Sequence, residues 1–161
     1  NQDRNKLRFY KSFKGTFSRE PYLDLVHNRN QRAWLTRLRV SAHHLQIEVG
    51  RWSRPPIPPS ERICRYCSDS SIDNEEHFLH DCATFALKRN CFFAMLDTVV
   101  PGFLQLSREH KILTMLCPTT SKATKLVRKF IGILFDARCQ IDNGTPVQNI
   151  VCSYQTSNLI D

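Results

Sequence analysis

The sequence predicts a mainly α-helical domain, and three observations lead to this prediction. Apolar residues recur at helical spacing in several stretches, most clearly between residues 121 and 142. Residues that commonly begin or end helices, such as Pro21, Ser107 and Pro118, stand at the limits of such stretches. A chain of 161 residues that is 41% hydrophobic and 24% charged has the size and composition of one globular domain. We therefore expect one compact unit with a core of its own.

Residues 1–54 form a basic helical segment in this prediction. They contain 12 Lys and Arg against 4 Asp and Glu, whereas residues 55–161 contain 11 of each, so the whole net charge of +8 lies in the first third of the chain. Clustered cations gain affinity for polyanions by releasing condensed counterions from phosphates. The asymmetry therefore favours a nucleic-acid partner, although a solvated basic surface would have the same composition.

The basic segment is expected to contain three helices. An aromatic and basic stretch ends at Gly15, and Pro21 is a first-turn residue of a brief second helix. A third helix, from about Asn30 to His43, has Trp34 on its apolar arc, which indicates a core position for this side chain. The cations on the opposite arc are Arg29, Arg32, Arg39 and His43.

Prolines and turn residues mark the rest of the chain. Residues 55–63 include four prolines within five positions and are predicted to be a stiff, extended spacer. Residues 83–142 are predicted to be a helical body, with Ser107 as an N-cap and a long core helix from about Ser121 to Asp142. Residues 143–161 are polar and are expected to be a flexible, disordered tail.

One short segment, residues 64–82, has the spacing of a metal site. The sequence runs Cys-x2-Cys-x9-His-x4-Cys, with the candidate ligands Cys64, Cys67, His77 and Cys82. Zinc prefers a tetrahedron of thiolate and imidazole ligands, and a Cys-x2-Cys turn presents two thiolates to one ion. We therefore expect an inserted CCHC zinc knuckle, built as a short β-hairpin or loop plus a helix. Since the protein supplies all four ligands, the single Zn²⁺ would be structural.

Other ligands were weighed against this set. His80 is the rival imidazole, but His80 and Cys82 would lie about 200° apart around a helix, so their side chains would diverge. The remaining thiols are far apart in the sequence, and we expect each to be a small buried or idle group rather than a ligand. These are Cys91, Cys117, Cys139 and Cys152.

Several motifs occur together in an order that resembles a known pattern. They are LTRLRVSAHHL at residues 35–45, EVGRW at 48–52, the Cys64–Cys67 pair, and EHFL at 76–79 followed by Cys82. This order is similar to the region downstream of the reverse transcriptase domain in non-LTR (LINE-like) retrotransposon polyproteins, which carries a CCHC zinc knuckle. The likeness covers roughly residues 13 to 100. It implies a nucleic-acid-binding accessory module that is part of a longer polyprotein.

The resulting expectation is a zinc-stabilised module whose partners are RNA or DNA and other parts of the same polyprotein. Trp52, or Tyr66, would stack on a base, and arginines would contact phosphates. These arginines are Arg29, Arg32, Arg37, Arg39, Arg51 and Arg54. An odd number of cysteines and the absence of a long apolar stretch favour an intracellular protein, nuclear or cytoplasmic, that does not span a membrane.

Two other functions remain as alternatives. In a protein-interaction or scaffold module, Leu126, Phe130 and Leu134 would face a partner instead of an internal core. A hydrolase or nuclease is disfavoured, because the sequence has no Tyr-x-Asp-Asp motif, no cluster of acidic residues and no open metal position. We therefore expect that the chain is not an enzyme.

Overall fold

The structure is a computed structural model that describes residues 7, 9–16, 18–26 and 29–146. In this part of the chain, seven α-helices account for most of the residues. They are α1 (Tyr10–Phe13), α2 (Pro21–Leu25), α3 (Arg29–Arg39), α4 (Gln46–Trp52), α5 (Ala86–Val99), α6 (Arg108–Leu116) and α7 (Ser121–Asp142). The described residues form no β-strand, and the antiparallel bridge between Ile63 and Ile72 is isolated. The prediction of a mainly α-helical fold is confirmed.

Helix α7 lies at the centre of the fold, with α2, α3 and α5 packed against it. Trp34 of α3 stacks on Phe135 with ring centroids 4.5 Å apart, and Phe92 of α5 stacks on Phe130 at 4.0 Å. The apolar stripe of α7, which includes Leu126, Phe130 and Leu134, is buried in the chain's own core. The idea that these three side chains face a partner is therefore wrong.

The ends of several helices lie where the sequence places them. Pro21 occupies the first turn of α2. Ser107 caps α6 by accepting a hydrogen bond from the backbone N–H of His110, and Thr120 caps α7 in the same way from Ala123. Such caps satisfy backbone donors that have no partner within the helix.

The chain between α3 and α4 differs from the predicted helix, which was expected to continue to His43. Helix α3 ends at Arg39, and Ser41 has a left-handed backbone with a φ of 51°. The Ser41 hydroxyl donates a hydrogen bond to Glu75 Oε1 (3.1 Å), and His43 Nε2 lies 2.9 Å from the same oxygen. All three side chains are buried. This network with a distant carboxylate holds residues 40–45 in a turn that local propensity does not predict.

The proline-rich residues 55–63 differ from an extended spacer, because they fold back on α4. The N–H of Ile57 donates to the carbonyl of Gly50 at 2.9 Å. The Arg62 side chain donates to the carbonyls of Ile57 and Ile47 at 2.9 and 2.8 Å, so it closes the turn from the other side. A Cβ on Gly50 would lie 2.8 Å from Arg62 Cγ, which explains the glycine within this helix.

The predicted disordered tail lies mostly outside the described residues, because residues 147–161 are not among them. Within the described ranges, no helix is long and apolar enough to cross a membrane.

Candidate metal centre

The predicted ligands Cys64, Cys67, His77 and Cys82 come together in one cluster. Their ligand atoms all lie within 4.8 Å of one another, and Cys67 Sγ is 3.4 Å from His77 Nε2. With metal–ligand bonds of about 2.0–2.3 Å, the ligand atoms of a tetrahedral zinc ion lie about 3.5–3.8 Å apart. A small contraction would therefore let the four side chains hold one metal ion.

The loop that carries the first two cysteines is closed by backbone hydrogen bonds. The Cys64 N–H donates to the Ser71 carbonyl at 2.8 Å, and the Asp73 N–H donates to the Arg62 carbonyl at 2.9 Å. Together with the Ile63–Ile72 bridge, these bonds return the chain to Cys64 after the turn-rich residues 68–71. Of the two expected forms, a short β-hairpin or a loop, this segment is a loop closed by a single bridge.

His77 and Cys82 are placed by a turn of π-helix that spans His77–Asp81. The Cys82 N–H donates to the His77 carbonyl at 2.8 Å, a spacing of five residues. A π turn is one residue wider than an α turn, and it often occurs at functional sites. It ends at Cys82, whose backbone is no longer helical (φ −53°, ψ 116°), and the thiol lies in the same cluster as the imidazole of His77.

His80 lies outside the cluster, as predicted. Its Nδ1 is 2.9 Å from Asp81 Oδ1, and its ring packs 5.7 Å from Phe93. Arg108 of α6 binds the same Asp81 and also Glu76, with N–O distances of 2.5 and 2.6 Å. The surface of the π turn is therefore occupied by ion pairs, while its inner face holds His77.

Apolar side chains surround the cluster. Phe78, Leu79 and Phe85 are all at most 1% exposed. The buried Arg89 donates to the Cys82 carbonyl at 3.0 Å. A shell of this kind fixes the ligands and limits the access of water to a bound ion.

Arg138 of α7 lies beside the cluster and contacts Cys64. Its Nη2 lies 4.0 Å from Cys64 Sγ, and its guanidinium is stacked 4.5 Å from the Tyr66 ring and 4.6 Å from the Phe78 ring. A divalent ion bound by three thiolates and one neutral imidazole forms a complex with a net charge of −1. The guanidinium of Arg138 would partly balance this charge. Neither Arg138 nor its carboxylate partner Asp73 was singled out from the sequence, because only the fold brings them to the cluster.

The thiols share hydrogen bonds that prepare the cluster for a cation. The hydrogen bond with Cys82 lowers the pKa of Cys64 to about 3, with further help from His77 and the charge of Arg138. The same interaction, together with burial, raises the pKa of Cys82 above its ordinary value, and burial raises that of Cys67. A metal ion bound at the cluster would displace the thiol protons.

The imidazole of His77 presents Nε2 to the cluster, whereas its Nδ1 is buried and has no hydrogen-bond partner in the described part of the chain. Ligand histidines usually donate their second N–H to a carboxylate or carbonyl. Here the π turn and the Asn74 side chain, which accepts the His77 backbone N–H at 2.9 Å, fix the position of the residue.

The other cysteines stay apart from the cluster. Cys91 and Cys139 are exposed, and Cys117 is partly buried beside Arg39, whose Nη1 lies 3.5 Å from its sulfur. Cys152 lies outside the described residues.

Arg39 is in the interior, which corrects its expected place on an exposed basic stripe. The residue is 2% exposed, and its guanidinium lies 4.3 Å from the Phe13 ring and 4.7 Å from the Tyr22 ring. It also donates to the Leu116 carbonyl and pairs with Glu20. These contacts join α1, α2, α3 and α6, so Arg39 is a structural residue and does not face a phosphate.

The other nucleic-acid candidates differ in exposure. Four of them are exposed, namely Arg29, Arg37, Trp52 and Arg54. Arg32 is partly buried and donates to the Leu23 carbonyl at 3.1 Å, and Arg51 is partly buried and lies 3.5 Å from Glu48. Tyr66, the second stacking candidate, is held by its hydroxyl at Asp142 (2.9 Å) and lies between two arginines.

Comparisons with known proteins add no assignment: no family model, no curated protein and no solved structure matches this chain. The resemblance to retrotransposon polyproteins therefore stays a prediction.

Proposed function

We propose that this chain is a zinc-stabilised module that binds nucleic acid, and that it serves as an accessory part of a retrotransposon-type polyprotein. The cluster of three cysteines and one histidine supports zinc, because soft sulfur and nitrogen ligands in a tetrahedral arrangement are typical of this ion. The four protein ligands would leave no open coordination position, so the metal would stabilise the fold and perform no chemistry.

The observation that carries the nucleic-acid proposal is the exposure of Arg29, Arg37 and Arg54 in the most basic third of the chain. Arg29 and Arg37 are eight residues apart in α3, which places them about 12 Å apart along the helix and about 80° apart around it. They therefore share one broad face. Exposed guanidinium groups bind phosphates bidentately and remain charged at any physiological pH.

The metal site would support this surface through α4. The backbone N–H groups of Gln46 and Ile47, in the first turn of α4, donate to Asp73 at 2.9 and 3.1 Å. Asp73 lies in the loop between the second and third ligands and pairs with Arg138 beside Cys64. Loss of the metal would loosen this loop and, with it, the helix that precedes Arg54.

Fluorescence anisotropy with labelled RNA and DNA at several salt concentrations tests this function. We expect affinity to fall steeply with salt, because each phosphate contact releases counterions. In an Arg29→Gln/Arg54→Gln variant, the slope of log affinity against log salt should shrink by about 1.8 for duplex DNA and about 1.4 for single strands.

A Lys122→Gln/Lys125→Gln variant is the matched control, because it removes the same charge from exposed positions on α7. It should change the slope less than the arginine variant does. Affinity that does not respond to salt, or no binding to RNA or DNA by the zinc-loaded protein, would overturn the proposed function.

A protein-interaction module is the second candidate, and one observation favours it. Ile63 and Ile72, paired across the β-bridge, are 45% and 37% exposed, and exposed apolar pairs often mark contact surfaces. An Ile63→Ser/Ile72→Ser variant should retain nucleic-acid binding under the first proposal. If the isoleucine variant binds nucleic acid as wild type does and the arginine variant binds it more weakly, the two functions are separated.

A further inference from the structure

A cleft of about 220 Å³ lies between the α3–α4 turn and one face of α4. His43 and His44 line it from the turn, and Glu48, Val49 and Trp52 line it from the helix. Pockets for drug-sized ligands usually measure about 300–1,000 Å³, so this cleft suits a single planar ring system better than a larger ligand.

Trp52 lines this cleft and is 73% exposed. Val49, one helical turn earlier on the same face, is 40% exposed. Tryptophan gives a large hydrophobic area when it is buried, so an exposed tryptophan beside a cleft is a feature of binding surfaces. The indole ring of Trp52 can therefore stack on a planar ring that enters the cleft.

The turn beneath the cleft is rigid. His43 accepts a hydrogen bond at Nδ1 from the Leu45 N–H (3.3 Å), which leaves the proton on Nε2 to be donated to Glu75 (2.9 Å). The Ser41 hydroxyl donates to the same Glu75 oxygen. Because Glu75 lies two residues before the metal ligand His77, the cleft is tied to the metal-binding segment. A preformed site loses less conformational entropy on binding.

The charges at the cleft are largely balanced, and an exposed positive charge lies just outside it, as a nucleotide requires. Glu48 lines the cleft and lies 3.5 Å from Arg51, so the charge of its carboxylate is largely balanced. Arg54 is exposed two residues beyond Trp52. A neutral base would therefore enter the cleft, while the phosphate attached to it would stay outside, near Arg54.

We propose that this cleft binds one unpaired base of a single-stranded nucleic acid, stacked on Trp52, with a neighbouring phosphate at Arg54. This inference rests on the proposed function and adds the class of nucleic acid. Bases within a duplex are stacked on one another and cannot enter, whereas a single strand can turn a base outward. Every base has a π face, so the cleft tolerates different sequences.

The test is a titration of zinc-loaded protein with a 12-nucleotide single strand and with a 12-base-pair duplex, both read by anisotropy. Stacking on an aromatic side chain contributes about 1–3 kcal/mol per base, so Trp52→Ala should weaken single-strand binding by about 5- to 150-fold. Trp52→Phe should recover most of this affinity, because phenylalanine retains an aromatic face. Duplex affinity should stay within about twofold of wild type.

One control variant and one independent readout accompany Trp52→Ala. Leu87→Ala truncates another exposed apolar side chain, 57% exposed on α5, and should leave both affinities unchanged. In a Trp34→Phe background Trp52 is the sole tryptophan, and its emission should be quenched by the single strand. Circular dichroism and zinc content should match wild type in each variant.

Three outcomes would overturn the inference. Equal single-strand affinity in Trp52→Ala and wild type would exclude the cleft and leave the proposed function intact. Equal loss of duplex and single-strand affinity would show that Trp52 does not select unpaired bases. Failure of wild type to bind either nucleic acid would remove both the inference and the proposed function on which it rests.

Discussion

Arg138 and Asp73 form a buried ion pair that joins helix α7 to the segment that holds the candidate metal ligands. Arg138 Nη2 lies 2.6 Å from Asp73 Oδ1, and Nη1 lies 3.0 Å from Oδ2. The two residues are 5% and 0% exposed. Asp73 Oδ2 also accepts the backbone N–H of Gln46 at the start of α4. One carboxylate thus connects α7, α4 and the loop between the candidate ligands Cys67 and His77.

Replacement of Arg138 by methionine should strongly destabilise the protein. It would leave the carboxylate of Asp73 buried without its cation, and breaking a buried pair in this way costs about 3–5 kcal/mol. The free energy of unfolding, measured by urea titration with circular dichroism, checks this prediction.

Arg65→Met is the matched control for Arg138→Met. Arg65 pairs with Asp142 at 3.0 Å, but the two side chains are 60% and 41% exposed. Surface pairs contribute about 0–1 kcal/mol, so this variant should remain close to wild type. If Arg138→Met lowered the free energy of unfolding as little as Arg65→Met does, the role assigned to the buried pair would be contradicted.

The two histidines of the π turn should differ in metal binding. His77→Ala removes a ligand and should lower the zinc content well below one equivalent per chain, whereas His80→Ala should retain one equivalent. Zinc released by a thiol modifier and detected with a chromogenic chelator gives the stoichiometry.

Removal of the metal with a strong chelator should then unfold wild type and His80→Ala alike, since structural zinc binding in zinc-finger peptides reaches about 10–16 kcal/mol at neutral pH. A metal-free protein with native helical content and unchanged thermal stability would exclude a structural zinc site. One equivalent of zinc retained by His77→Ala would exclude His77 as a ligand.

Two glycines within helices should respond in opposite directions to alanine. A Cβ on Gly50 would lie 2.8 Å from Cγ of the buried Arg62, so Gly50→Ala should cost about 1–3 kcal/mol through overpacking. A Cβ on Gly132 in α7 would meet only Trp34 Cδ1 at 3.8 Å, an ordinary contact. Gly132→Ala should therefore stabilise the helix by about 0.5–1 kcal/mol.

Thermal unfolding of the two variants beside wild type measures this difference. Stabilisation by Gly50→Ala would show that the proline-rich segment does not pack against α4 as described.

Local signals in the sequence predicted part of this fold well. Helix α7 spans Ser121–Asp142, as expected from its apolar period, and Ser107 caps α6 as expected from the residue type. Both features depend on neighbours within one or two helical turns, which the sequence shows directly. The proximity of the four candidate metal ligands followed equally from their spacing.

Where the prediction from the sequence was wrong, contacts between residues far apart in the chain determined the structure. The periodicity of α3 suggested a helix to His43, but hydrogen bonds from Ser41 and His43 to Glu75 favour a turn. Arg39 fits an exposed basic stripe by its position on the helix. The aromatic rings of Phe13 and Tyr22 and the carboxylate of Glu20 bury it instead.

The sequence by itself determined the helical class, the limits of the later helices and the identity of the candidate metal ligands, because spacing and capping are local properties. Only the tertiary structure decided which arginines remain exposed and which carboxylates hold the cluster in place. The buried Arg39 and Arg138 pair with Glu20 and Asp73 across 19 and 65 residues of chain, respectively. The free energy of burying a charge depends on such partners, and no local pattern specifies them.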